Sequence, residues 1–98
     1  DVAASFQEAV IEVLVEKTIK AAKLKRVDRV LLSGGVASNQ RLRDQLYKAC
    51  AKEGLALYYP PKVLCTDNAA MIACCVYYRY LKGDRAKWDL NANPRLGV

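Results

Sequence analysis

Ninety-eight residues with 53% hydrophobic content are enough for one domain, or part of one, with a modest core. The net charge of +6 permits contact with nucleic acid or another polyanion, and the complete lack of histidine excludes Ser-His-Asp, Cys-His and HExxH zinc chemistry within this chain. No apolar run approaches the roughly 18 residues that suggest a membrane span.

The opening Asp1-Val2-Ala3-Ala4 has neither a basic n-region nor an initiator Met, so no signal peptide is expected and the chain reads as cut from something longer. Val2 to about Leu24 is predicted helical. Val2, Phe6, Ala9, Val10, Val13 and Leu14 recur at helical spacing, and Ile11, Val15 and Ile19 widen the apolar arc. So wide an arc predicts cover on more than one side, or self-association of the chain. Asp1 is placed to cap the helix start. Lysines and arginines gather at Lys17, Lys20, Lys23, Lys25, Arg26 and Arg29, and again at Arg41 and Arg43, in a spacing that a solvated helix face explains as well as nucleic-acid contact does.

Arg29 to Ser33 reads as a buried strand, and it runs into Gly34-Gly35. Glycine allows a tight turn and a close approach of backbone to ligand. Ser38 or Asn39 is the N-cap expected for a second helix, Asn39 to about Glu53, with Leu42, Leu46, Ala49 and Cys50 on one face and Gly54 just past its end. Free N–H groups at such a helix start suit a phosphate or ribose. The turn is neither a Walker A loop nor GxGxxG, and a plain strand-to-helix turn explains it equally. Leu55 to Tyr59 is a second strand, stopped by Pro60-Pro61. Two strands joined by a helix predict a parallel pair.

Pro61 to Cys65 reads as a linker or short extended piece. A third helix, from about Ala69 to Leu81, is apolar nearly all round and predicted central and buried, with Gly83 as its stop. Thr66-Asp67-Asn68 precedes it. Thr66 or Asp67 is expected to cap it, and the other reading of Asp67 is a carboxylate ligand for a metal ion. One aspartate without further ligands builds no metal site. The tail from Asp84 to Val98 reads as irregular, with Trp88 and Leu90 as anchors and turns at Asn91-Ala92-Asn93-Pro94. Cys50, Cys65, Cys74 and Cys75 form no CxxC pair, so reduced and mostly buried thiols are expected rather than a zinc ribbon or a disulfide framework.

Ser33-Gly34-Gly35-Val36-Ala37-Ser38-Asn39-Gln40-Arg41-Leu42-Arg43, then Pro60-Pro61, then Cys65-Thr66-Asp67-Asn68-Ala69-Ala70-Met71-Ile72-Ala73 together resemble the C-terminal part of the TsaD family. These are tRNA threonylcarbamoyladenosine transferases, formerly labelled O-sialoglycoprotein endopeptidases or glycoproteases. The opening Asp1-Val2-Ala3-Ala4-Ser5-Phe6-Gln7-Glu8-Ala9-Val10 and the closing Leu90-Asn91-Ala92-Asn93-Pro94 extend the resemblance over nearly the whole chain. Ala37-Ser38 stands where the family often has Ser-Ala or Ala-Ala, and Ala69 where glycine is frequent.

The resemblance implies an α/β fold, part of an actin-like (ASKHA, ribonuclease H-like) lobe with element order helix-strand-helix-strand-helix, residues 1–98 being one C-terminal lobe fragment. It implies that Gly34, Gly35 and Asn39 bind substrate or nucleotide, and that Asp67 ligates iron or zinc alongside two histidines of an HxxxH motif not present here. The two places would face one pocket. The implied reaction passes a threonylcarbamoyl group from threonylcarbamoyl-AMP to an adenosine of tRNA. The implied partners are tRNA, the N-terminal lobe of the same protein, and TsaB- and TsaE-type proteins in the cytoplasm, with no membrane. Alone, the chain is expected to be inert. The alternatives are a non-catalytic nucleotide- or RNA-binding module and the older peptidase assignment, for which no nucleophile-base pair is visible.

Overall fold

A computed structural model describes residues 1–96. Gly97 and Val98, the end of the predicted irregular tail, lie outside the described residues. The chain forms two compact units, Asp1–Asp67 and Asn68–Val98.

The first unit begins with α1, Val2–Lys25. Asp1 caps it as expected, its carboxylate accepting the Ala3 N–H at 3.1 Å. It ends where Arg26 adopts the left-handed conformation, φ 53° and ψ 43°, and donates its N–H back to Ala22 and Lys23. α1 packs on α2, Gln40–Lys52. The parallel pair β1, Arg29–Leu31, and β2, Ala56–Tyr58, sits beside α2 in the register Arg29↔Ala56, Val30↔Leu57, Leu31↔Tyr58. The ladder runs on at both ends: Leu32 N–H donates to Tyr58 O and Ala56 N–H to Asp28 O, both at 2.9 Å. The predicted order and the parallel pairing hold, and the α/β class with them.

The core is small. Its buried apolar residues are Ile11 and Ala22 of α1, Leu42, Leu46 and Cys50 of α2, and Ala37 and Cys65. Burying Ile11, Leu42 or Leu46 is worth about 1.5–3 kcal/mol each over exposure. Burial also pushes the Cys50 thiol above its ordinary range. Two ion pairs tie the helices together: Arg41 holds Glu8 with two bonds, at 2.7 and 3.0 Å, and Lys23 meets Glu53 at 2.6 Å.

Several expectations are corrected. α1 is covered along one line only, with Phe6, Val10, Val13 and Leu14 all exposed, because α2 is the one helix against it in this unit. The strands are three residues each and only their central Val30 and Leu57 are half-buried. A two-stranded sheet has few neighbours, and parallel strands need cover on both faces to be buried. Residues Lys62–Leu64 form a 3₁₀ turn where a linker or extended piece was expected.

The second unit is α3, Ala69–Leu81, followed by irregular chain. The helix and its stop fall where the sequence places them, with Gly83 at φ +88°. Its predicted burial does not hold: none of its residues is buried, Met71, Ile72 and Val76 among them. A helix apolar all round needs cover from several sides, and this unit offers it only turns. Trp88 is fully exposed and anchors nothing, and Leu90 is exposed as well. The expected turns are present, with the Asn91 and Asn93 side chains accepting from Ala92 and Arg95 N–H groups. All four cysteines are free, but only Cys50 and Cys65 are buried.

Candidate functional site

β1 leads through Leu32 and Ser33 into Gly34, whose φ of 92° and ψ of 172° belong to a region essentially reserved for glycine. Gly34 therefore redirects the chain where no other residue does so without strain. Gly35 opens a 3₁₀ turn, Gly35–Ser38. It has no positive φ, and a Cβ added to it meets no atom within 4 Å. Neither backbone conformation nor crowding inside this chain requires glycine at position 35. The turn is held by Ala37 N–H donating to Gly34 O at 3.0 Å and Asn39 N–H to Val36 O at 3.1 Å, and Ser38 Oγ donates to Gly35 O.

Asn39 is the N-cap of α2. Its Oδ1 accepts the Leu42 N–H at 3.1 Å, and its Nδ2 donates to Gln7 Oε1 of α1 at 3.4 Å. One of the two candidate caps, Asn39 rather than Ser38, takes the position. Its amide is thus already engaged in the fold, and Gln7 is a neighbour that the sequence reading did not single out. A groove of about 280 Å³ lies beside the turn, lined by Phe6, Gln7, Val10, Leu14, Val36 and Asn39. Its lining is mostly apolar, and the two polar side chains in it, Gln7 and Asn39, are amides.

The residue missed altogether is Arg43. Counted with Arg41 as part of a basic, solvated face, it is 5% exposed. Nε donates to the Ala37 carbonyl, and Nη2 donates to Pro60 O at 3.0 Å and to Cys65 Sγ at 3.1 Å. The guanidinium carbon sits 4.6 Å from the centroid of the Tyr59 ring. The signal was available: Arg43 lies three residues before Leu46 and seven before Cys50, inside the apolar stripe of α2. Arg41, by contrast, is exposed and paired with Glu8, whose carboxyl is held below the usual range by the hydrogen bonds from Arg41.

Asp67 follows buried Cys65 by two residues and is exposed. It is not the cap of α3. Asn68 is, accepting the Met71 N–H at 3.0 Å. Three consecutive cap-forming residues competed, and the extended conformation of Asn68, φ −151° and ψ 148°, gives it the position. Among the described residues no group of three or more His, Cys, Asp or Glu is placed to hold a metal ion. The donors among the described residues therefore do not build a metal site by themselves, and Asp67 offers one carboxylate toward one. No helix among the described residues is long and apolar enough to cross a membrane.

The family model for TsaD, tRNA N6-adenosine threonylcarbamoyltransferase, matches residues 1–74, a span that contains both the glycine turn and Asp67. The chain is 53% identical over 96 residues to a tRNA N6-adenosine threonylcarbamoyltransferase of Clostridium botulinum strain Hall, covering 98% of this chain and 28% of that protein. It is 56% identical over 98 residues to the protein of that name in Symbiobacterium thermophilum, covering 100% of this chain and 29% of the relative. The namesake in Moorella thermoacetica is 56% identical over 96 residues, covering 98% of this chain and 28% of the relative. The chain thus spans less than a third of the length of the curated relatives it matches.

Proposed function

The chain belongs to the TsaD family, and from that premise we propose that it supplies the substrate-facing turn and one metal-ligand carboxylate of a tRNA N6-threonylcarbamoyladenosine transferase. The observation that carries this reading is that the family match encloses both polar stretches in one span. In it, residues 1–98 are the C-terminal lobe part of the longer enzyme, and Gly34-Gly35 and Asp67 face one pocket. Gly34, Gly35 and Asn39 position threonylcarbamoyl-AMP or another adenine nucleotide. Glycine at position 35, with nothing inside the chain demanding it, suits a backbone that a ligand approaches. The groove beside the turn, mostly apolar with two amide side chains in its lining, suits a small ligand that is apolar with a few hydrogen-bonding groups. Asp67 contributes a single ligand to an iron or zinc site whose other ligands lie outside this chain.

The 98-residue chain is consequently inert as an enzyme, and the reaction, tRNA as substrate, TsaB- and TsaE-type partners and a cytoplasmic location belong to the whole protein. The exposed apolar faces of α1 and α3 favour self-association of the isolated chain, which light scattering reads directly. The test is metal analysis, ATP titration and a transferase assay of the purified chain beside a full-length relative. The expected result is no stoichiometric metal and no turnover from the chain alone. Tight stoichiometric iron together with turnover from the 98 residues overturns the proposal of an incomplete site. Equal ATP affinity for the chain and its Gly35→Val variant removes the turn from the nucleotide site.

A further inference from the structure

We infer that Arg43 is a positioning residue that locks the glycine turn and the segment entering Asp67 into one arrangement. Three parts of the first unit converge on its guanidinium. Ala37, in the middle of the turn that Gly34 starts, accepts from Nε. Pro60 and Cys65, which bracket the 3₁₀ turn Lys62–Leu64, accept from Nη2. Tyr59, just past β2, lies against the guanidinium face. The connecting chain gives no such link, because α2 and β2 intervene between the two segments in sequence.

The chemistry calls for arginine. A buried cation is tolerated only when its donors are matched, and no buried side-chain nitrogen or oxygen among the described residues lacks a partner. The planar fork reaches two carbonyls and a thiol while its face stacks on a ring. A lysine ammonium is a point charge that cannot do both. Arg43 acts through Ala37 O and Cys65 Sγ. Its bearing on chemistry rests on the function proposed above: if the turn holds substrate and Asp67 holds metal, Arg43 sets the spacing between them. A displacement on the order of 1 Å at such a spacing costs about a hundredfold in rate.

Amide hydrogen exchange on the full chain, for wild type, Arg43→Lys and Arg43→Ala, tests the inference. Both variants are expected to exchange about tenfold faster at Ala37 and Asn39 in the turn and at Leu64 and Cys65 in the second segment, with α1 amides unchanged. Millimolar guanidinium, but not ammonium, is expected to restore protection at both segments of Arg43→Ala together. Faster exchange at one segment only, loss of protection throughout α1 and α2 in both variants, or rescue by ammonium as good as by guanidinium overturns it. If Arg43→Ala does not fold, the Arg43→Lys pattern decides alone. Equal ATP affinity for wild type and Gly35→Val removes the turn from the nucleotide site and leaves this exchange pattern standing, so the two failures are distinguishable.

Discussion

Asn39 carries a structural and a proposed functional role on one side chain, and two substitutions separate them. Asn39→Ala removes the acceptor that takes the Leu42 N–H at 3.1 Å. Loss of such a cap costs about 1 kcal/mol, within a range of roughly 0.5–2. The bond from Nδ2 to Gln7 is long at 3.4 Å and exposed, so it adds little. A loss of about 1 kcal/mol shifts the folding equilibrium about fivefold. Asn39→Asp keeps the capping oxygen and places a negative charge at the start of α2, where it gains about 0.3–1 kcal/mol from the helix dipole. It removes only the Nδ2 donor. Urea unfolding followed by far-UV circular dichroism is therefore expected to rank the alanine variant below wild type and the aspartate variant level with it or above. ATP titration is expected to show weakened binding in both. Equal stabilities for the alanine and aspartate variants refute the cap reasoning. Unchanged ATP affinity in the aspartate variant shows that the amide donor is not a nucleotide contact.

Gly34→Ala is expected to cost about 1–3 kcal/mol, because alanine resists the φ of 92° and ψ of 172° there. Gly35→Ala is expected to leave the unfolding midpoint within about 0.5 kcal/mol of wild type, since the added methyl meets nothing within 4 Å. Arg26→Gly is expected to stabilise by about 0.5–1 kcal/mol in the same assay, because Arg26 ends α1 at φ 53°. Glu8 is held below its ordinary range by Arg41. The unfolded chain therefore binds this proton first as pH falls, so the pair's stabilisation is complete above the ordinary glutamate value and fades as pH drops through the folded one. Glu8→Gln is expected to flatten this part of the stability-versus-pH curve, and an unchanged slope counts against the pair.

Much of the fold was legible because local chemistry decided it. Asp1, Asn39, Gly54 and Gly83 mark helix ends in the structure as their residue types require, with Gly54 and Gly83 at φ +70° and +88°. The parallel pairing followed from a helix lying between two short apolar runs. What local pattern does not carry is tertiary. The apolar sequence of α3 states that the helix wants cover, and it does not state where the cover comes from. Thr66, Asp67 and Asn68 are all good caps, so only the backbone angles choose Asn68. For Arg43, position on the helical stripe of α2 is a better guide to burial than its charge. At the candidate site, the bend at Gly34 and the cap at Asn39 were readable residue by residue, whereas the strut between the turn and the Asp67 segment joins residues far apart in sequence.

One face of α2 serves three neighbours. Leu42, Arg43, Leu46 and Cys50 are the buried positions of this helix, which meets α1, β2 and the glycine turn. Four of the eight buried residues among the described ones therefore lie on a single ridge of one helix, which makes that ridge the largest share of the core. Phe6, Val13, Met71 and Ile72 are bulky and apolar yet lie outside that ridge, so replacing them with polar residues leaves the folded state intact and improves solubility.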